Sequence, residues 1–420
     1  MKSHHHLPPF TFLLLTFFLS SCQFGSPKTY DPAQVAFRAE YNPLYEGQFY
    51  PSLVMALSHA EESSQLSTYN TELFTVSVTS PANNAVLRIT IDSSRLNYVT
   101  IFQEELPVRG ERYTFHPAIK WKFDKLYALR QRGTADLTFT CYINDEEVDI
   151  SNIRLNYHSV GDCLLSIRDT TGTLRDYRWM VAAYVNEEHP YIDSILSEML
   201  ASGIVTKING YQSSRDQVVK QVEAIWHYAL SRGIAYSSVS CTSNPTNNSN
   251  IQHVRFFDEV YSSRQANCVD ACVFFASVMR KIGLKPVIFI DPCHAYLGYY
   301  TDKNRKRLNL LEATITAWVN FPALDRSYRP DAEGADRLPA EQYQKVSKYL
   351  TDVQRRQWES GALGFDDLKR AVSHALFVRA TNHNVELHAQ NRSLYNDPNN
   401  LLYQQLDIEQ LRRYVNPVTE

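Results

Sequence analysis

The chain has 420 residues, of which 44% are hydrophobic, 12% aromatic and 21% charged, a composition that excludes a disordered or collagen-like chain and fits a folded body. Its length exceeds one ordinary domain, so two or three units are expected. A formal net charge of −3 with acids and bases interspersed builds no field that would gather nucleic acid or an anionic membrane surface, and no nucleic-acid partner is expected.

Residues 1–22 read as a targeting segment. Lys2 and three histidines precede an apolar run from Leu7 to Leu19, which ends in Leu19-Ser20-Ser21-Cys22. The ending resembles a bacterial lipoprotein signal, in which small residues precede the cysteine that is lipidated. The resemblance implies export, with membrane contact through a lipid on Cys22, at the periplasmic face or the cell surface. A plain secretory signal or a short membrane anchor is the bland alternative, and no later stretch has the apolar length of a bilayer span. Residues 23–45, rich in Ser, Pro, Tyr and Asn, suit a tether.

Residues 46–175 carry period-two alternation: Phe74, Val76 and Val78; Leu87, Ile89 and Ile91; Leu137, Phe139, Cys141 and Ile143. Turn signals at Pro81 to Asn84 and at Asn144-Asp145 separate these strands. The segment reads as an antiparallel β-sandwich of immunoglobulin-like character. Six cysteines remain besides Cys22. A bridge between Cys141 and Cys163 is compatible with an exported compartment, and spacing alone leaves the pairing open.

Residues 176–325 change to helical periodicity. Ile192, Ile195, Leu196, Met199 and Leu200 share a face before Gly203; Ser214 and Gln217 open a second helix that stops at Gly233. The polar stretch from Val239 to His253 reads as a loop beside a cleft. The chemistry concentrates between Gln265 and Thr314. Cys268 stands where a helix begins, followed by Ala271, Cys272, Phe275, Val278, Met279 and Ile282 at helical spacing and by Gly283 and Pro286 at its end. A sulfur there meets the positive end of the helix dipole and free amides, which favour thiolate. A strand from Val287 to Ile290, a turn at Asp291-Pro292, a strand beginning with Cys293-His294 and the basic loop Asp302 to Arg307 then read as a hairpin. With Tyr300 paired to Lys306, Tyr296 faces Leu310 and His294 faces Glu312, so imidazole and carboxylate share one face. Glu312 would orient one ring nitrogen and leave the other for Cys268.

This stretch resembles the core of the transglutaminase-like superfamily, the papain-like branch of cysteine enzymes, in which a Cys opens a long helix and His and an acid lie on adjacent strands. The motif covers about 50 residues directly. The resemblance implies an α+β domain and thiol chemistry on amides of peptide, protein or peptidoglycan, by hydrolysis through a thioester or by acyl transfer to an amine. It implies no cofactor. Cys268 takes the place of nucleophile, His294 of general base and acid, and Glu312 of the group that fixes the ring. Members often have Gly before the cysteine and Asp as the acid, where this chain has Asn267, which tolerates left-handed backbone, and Glu312. The Cys268 amide, with Gln265 or Tyr261 as side-chain donor, would form the oxyanion hole.

Rival readings stay beside this one. Cys268, Cys272, Cys293 and His294 count as four zinc ligands, although neighbours on a strand point to opposite faces. His227 reads as core or rim, and His253 as a cleft wall. A catalytically silent envelope-binding module would use the sandwich to dock a partner. Residues 326–420 read as helical packing elements, from about Pro339 to Ser360 and from Phe365 to Val378, closed by Leu406-Asp407-Ile408-Glu409.

Overall fold

The computed structural model describes residues 30–31, 34–58, 73–237, 248–330, 336–397 and 399–419. The targeting segment with Cys22, residues 23–29 and 32–33 of the expected tether, and Cys241 lie outside the described residues, while the tether's Phe37–Tyr41 is a strand. The protein is a mixed α/β structure with several sheets. Among the described residues no helix is long and apolar enough to cross a membrane.

The strands expected at Phe74, Leu87 and Leu137 run over Phe74–Thr79, Ala85–Ile91 and Gly133–Ile143. Their alternation buries one face, with Leu87, Ile89 and Ile91 fully enclosed. A five-stranded sheet orders Gln48–Phe49, Glu146–Tyr157, Gly133–Ile143, Ala85–Ile91 and Thr100–Leu106. Asn144 and Asp145, at φ 52° and 67°, form the two-residue turn between its longest strands, the positive-φ geometry that matches strand twist. A three-stranded sheet, Phe37–Tyr41, Phe74–Thr79 and Arg112–Phe115, lies against it, with the Phe74 and Phe139 rings 5.8 Å apart. Cys141 and Cys163 are buried free thiols, so the bridge left open between them is not made.

A third sheet sews the two halves together. Asp162–Arg168 pairs with Leu174–Asp176 on one side and, on the other, with Ser249–His253, the end of the stretch expected as loop. Helices Tyr191–Ala201 and Arg215–Arg232 follow the expected spacing. Ser214 Oγ accepts from the Gln217 amide, and Gly233 closes the second helix at φ 70°.

The central sheet orders Leu308–Leu311, Ala295–Tyr300, Pro286–Ile290 and Gln404–Asp407. Pro286–Ile290 is buried throughout, as a strand covered on both faces must be. Helix Cys268–Lys281 packs on one face. On the other, Phe289 and Tyr296 stack at 5.2 Å and meet Tyr395 of helix Val385–Asn396. The expected long helix from Pro339 is two helices, Ala340–Ser347 and Asp352–Glu359, because Thr351 and Gln354 form a capping box that starts a new one.

Candidate active site

Helix Cys268–Lys281 begins at Asn267, which has φ −80° and extended backbone; the residue is an N-cap and uses no left-handed conformation, contrary to the sequence expectation. Asn267 Oδ1 accepts from the Asp270 amide at 2.9 Å, and Asp270 Oδ2 accepts from the Asn267 amide at 3.0 Å. Asp270 is fully buried, and the Arg255 guanidinium and amide each donate to it at 2.8 Å. The start of the helix, and with it Cys268, is therefore fixed by a satisfied buried ion pair. Cys268 is the first helical residue and partly exposed, and the leading amides of a helix have no intrahelical acceptor.

His294 sits in a turn and not on the strand, which begins at Ala295. Asp291 Oδ1 accepts from the amides of Cys293 and His294 at 2.9 and 2.7 Å, and the Asp291 amide donates to His294 O. This side-chain turn sets the ring position. The hairpin register is two residues away from the expected one: Tyr300 pairs with Leu308, Gly298 with Leu310 and Leu297 with Leu311. Asp302 causes the difference, since its carboxylate accepts from the amides of Asn304, Lys306 and Arg307 and holds a longer turn. An even shift preserves the faces. His294 and Glu312 therefore meet diagonally rather than directly opposite, and His294 Nε2 donates to Glu312 Oε2 at 2.8 Å.

Glu312 is 1% exposed and fully engaged. Its Oε1 accepts from the Thr314 amide at 3.0 Å and hydroxyl at 2.6 Å, and its Oε2 also accepts from Asn384 Nδ2 at 2.7 Å. Its own amide donates to Ala380 O. Burial pushes the carboxyl upward, but the His294 hydrogen bond and charge and the Thr314 and Asn384 donors outweigh it and hold it down at about 2. His294 is raised from 6.5 to about 10, first by its hydrogen bond with Cys268 and then by that with Glu312, against burial. With Nε2 committed to a carboxylate that only accepts, Nδ1 is the nitrogen left for sulfur.

Cys268 and His294 open into one cleft of about 480 Å³, a volume ordinary for a ligand site. One wall is the sheet carrying Ser166, Arg168 and Leu174 with Asn250 and Gln252; Leu401 and Leu402 form the rim. Cys293 is exposed and lines the same cleft. A larger groove of about 760 Å³ behind the hairpin is basic, with Arg307 and Arg392, and neither Cys268 nor His294 reaches it.

Gln265 and Tyr261 do not line the cleft. Gln265 is exposed on the two-residue strand Gln265–Ala266, and the Tyr261 ring packs at a tilt against Tyr191, 4.5 Å between centroids. Two side-chain amides line the cleft, Asn250 and Gln252, and Gln252 Nε2 also donates to His253 O. Cys272 faces the core, where burial drives its thiol well upward, and among the described residues no three His, Cys, Asp or Glu side chains converge as a metal site. His227 is core, packed on Phe321, and His253 is bound to Asp162 at 3.2 Å. Sequence reasoning missed Thr314, Asn384, Asp270, Arg255 and Asp291. The Asn267-x-x-Asp270 and Asp291-x-x-His294 spacings were signals for two of these positions, and Asn384 had none. Neither a scan against protein-family models nor a search of the curated proteins finds a match to the chain.

Proposed function

We propose that the protein is an exported, lipid-anchored thiol hydrolase of amide bonds, with a transglutaminase-like domain behind an immunoglobulin-like sandwich. The single observation that carries the reading is the shared imidazole: His294 donates to the buried Glu312 carboxylate at 2.8 Å and is raised by Cys268 on its other side, within an open cleft. The Cys268 sulfur attacks the amide carbonyl carbon, and the carbonyl π pair becomes an oxyanion held by the Cys268 amide and the Gln252 side chain. The C–N bond then breaks, His294 gives its proton to the leaving amine, and a thioester remains. Water, deprotonated by His294, attacks the thioester; the acid leaves and the thiol is restored. Glu312, itself pinned by Thr314 and Asn384, fixes the ring through both steps.

Peptide, protein and peptidoglycan amides are the substrate classes to screen with wild type and Cys268→Ala. Release of amine and acid by wild type alone is the expected result. Rapid iodoacetamide labelling of Cys268 that collapses in His294→Ala is the second expected readout. A thiol no faster than the buried ones, with no turnover of any amide, would leave a silent binding module, and incorporation of an added amine in place of water would make the activity a transfer. The lipid is tested separately, by loss of membrane fractionation in Cys22→Ser.

A further inference from the structure

The strand wall of the cleft carries a cationic group that no protein acid fully satisfies. Arg178 is 7% exposed and lines the cleft. Its Nε donates to Asp176 Oδ1 at 2.7 Å, and the Arg178 amide donates to the same oxygen at 3.1 Å. Its terminal nitrogens, Nη1 and Nη2, have no acceptor among the described residues, and neither is sealed in the core. A guanidinium withdrawn from bulk water with its planar fork unused is matched to a carboxylate, which accepts two parallel N–H bonds. Arg168, on the same wall, donates through Nη1 to Gly172 O at 2.7 Å and forms no ion pair among the described residues. Leu174 pairs with Arg168 across the sheet and supplies an apolar floor beside the two cations. The acid of the cleft, Asp291, belongs to the opposite wall, where its Oδ1 is committed to the His294 turn.

We infer that this wall is a carboxylate-binding subsite built by Arg178 with Arg168, so that the amide substrate carries an anionic group within a few bonds of the carbonyl attacked. The inference rests on the thiol-enzyme reading above and deepens it. The subsite selects acidic acyl donors and disfavours neutral or basic ones, because the two Nη groups of Arg178, which Asp176 leaves without an acceptor, gain charge-assisted hydrogen bonds only when an anion enters.

The test uses the full chain carrying Cys293→Ser, which removes the other exposed thiol of the cleft. Labelling of Cys268 is followed by mass spectrometry with N-iodoacetyl-β-alanine and with its neutral amide, and the ratio of rates is divided by that for N-acetylcysteinamide. A corrected preference for the acid of about tenfold or more is expected, the scale of one charge-assisted hydrogen-bond pair. Arg178→Gln should bring the ratio near unity, Arg168→Gln should lower it in part, and Arg168→Glu should invert it. A corrected ratio of one or less in the parent, or a preference that survives both glutamine variants, overturns the subsite. If Arg178→Gln does not fold, the exposed Arg168→Glu decides. Calorimetric titration with N-acetyl-β-alanine and its amide reads the same preference with no reaction at sulfur: binding of the acid alone, lost in Arg168→Glu, supports the subsite, and equal affinity overturns it. Dependence of the neutral probe on His294 tests the thiol reading on its own, so the two failures are distinguishable.

Discussion

Among the described residues three carboxylates hold histidines, Asp162, Glu223 and Glu312, and only the ring on Glu312 shares a cleft with a thiol. Asp162 is buried between His158 at 3.3 Å, His253 at 3.2 Å and Arg132 at 3.3 Å. The His158 ring lies stacked on Tyr50 at 4.5 Å, with its other nitrogen against the Gln48 carboxamide. The Asp162 oxygens end on these three side chains, and the neighbouring Cys163 is sealed in the core with its thiol pushed upward by burial. Glu312 holds one histidine, and that ring lines an open cleft together with Cys268. A His–carboxylate contact is therefore no site in itself; the group on the second ring nitrogen, and its access to solvent, separates a clamp from a machine.

The comparison breaks most sharply under substitution of the histidine. His294→Ala should lower amide turnover per folded molecule by about 10² to 10⁴-fold, the usual contribution of a positioned acid–base group; His253→Ala should leave turnover per folded molecule unchanged. The carboxylate exchange follows. Asp162→Ala removes the buried acceptor shared by His158, His253 and the half-exposed Arg132 and should cost about 1–3 kcal/mol of stability, read by urea unfolding, while the folded fraction keeps its turnover. Glu312→Gln should instead reduce turnover about 10 to 100-fold, the scale of losing a group that orients a reacting side chain.

The same pair predicts a pH signature. His294 is raised in the folded state, so its contribution to stability is fully present below its ordinary 6.5 and is lost as pH rises through about 10. Glu312 is depressed, so its contribution is present above its ordinary 4.5 and is lost as pH falls through about 2. The stability gap between wild type and His294→Ala should be flat between those ordinary values and shrink on either side. In Glu312→Gln the alkaline limb of turnover should move acidward. A limb unmoved by that variant would show that the carboxylate does not govern the ring. Asn384→Ala, which removes one of the donors to Glu312, should give a fall of about tenfold or less. The smallest effect belongs to Gln265→Ala, an exposed side chain outside the cleft, which should stay within about 0.5 kcal/mol in stability and alter no rate.

The contrast between local and distant information explains what could be read in advance. Cys268, His294 and Glu312 were legible because each stands at a helix start or beside a hairpin, where spacing speaks. The diagonal meeting was not, because the Asp302 turn depends on a side chain capping three amides. Thr351 with Gln354 announced the break between two helices in the sequence, yet the apolar stripe across it dominated the reading. Asn384 reaches Glu312 from 72 residues away, and Gln404–Asp407 is a short polar strand whose place is fixed only by the edge it finds. Such partners leave no periodic trace.

That last strand has a consequence for how the protein comes into being. Gln404–Asp407 completes the sheet beside Pro286–Ile290, and beyond it the Asn416 amide bonds to Ala56 O and the Val418 amide to Ala183 O. A growing chain therefore holds Cys268 in an unfinished frame until residues as late as Val418 have left the ribosome. On the proposed function, a polypeptide cut short before Gln404 lacks the strand that borders Pro286–Ile290 and should turn over no amide while it is still being made.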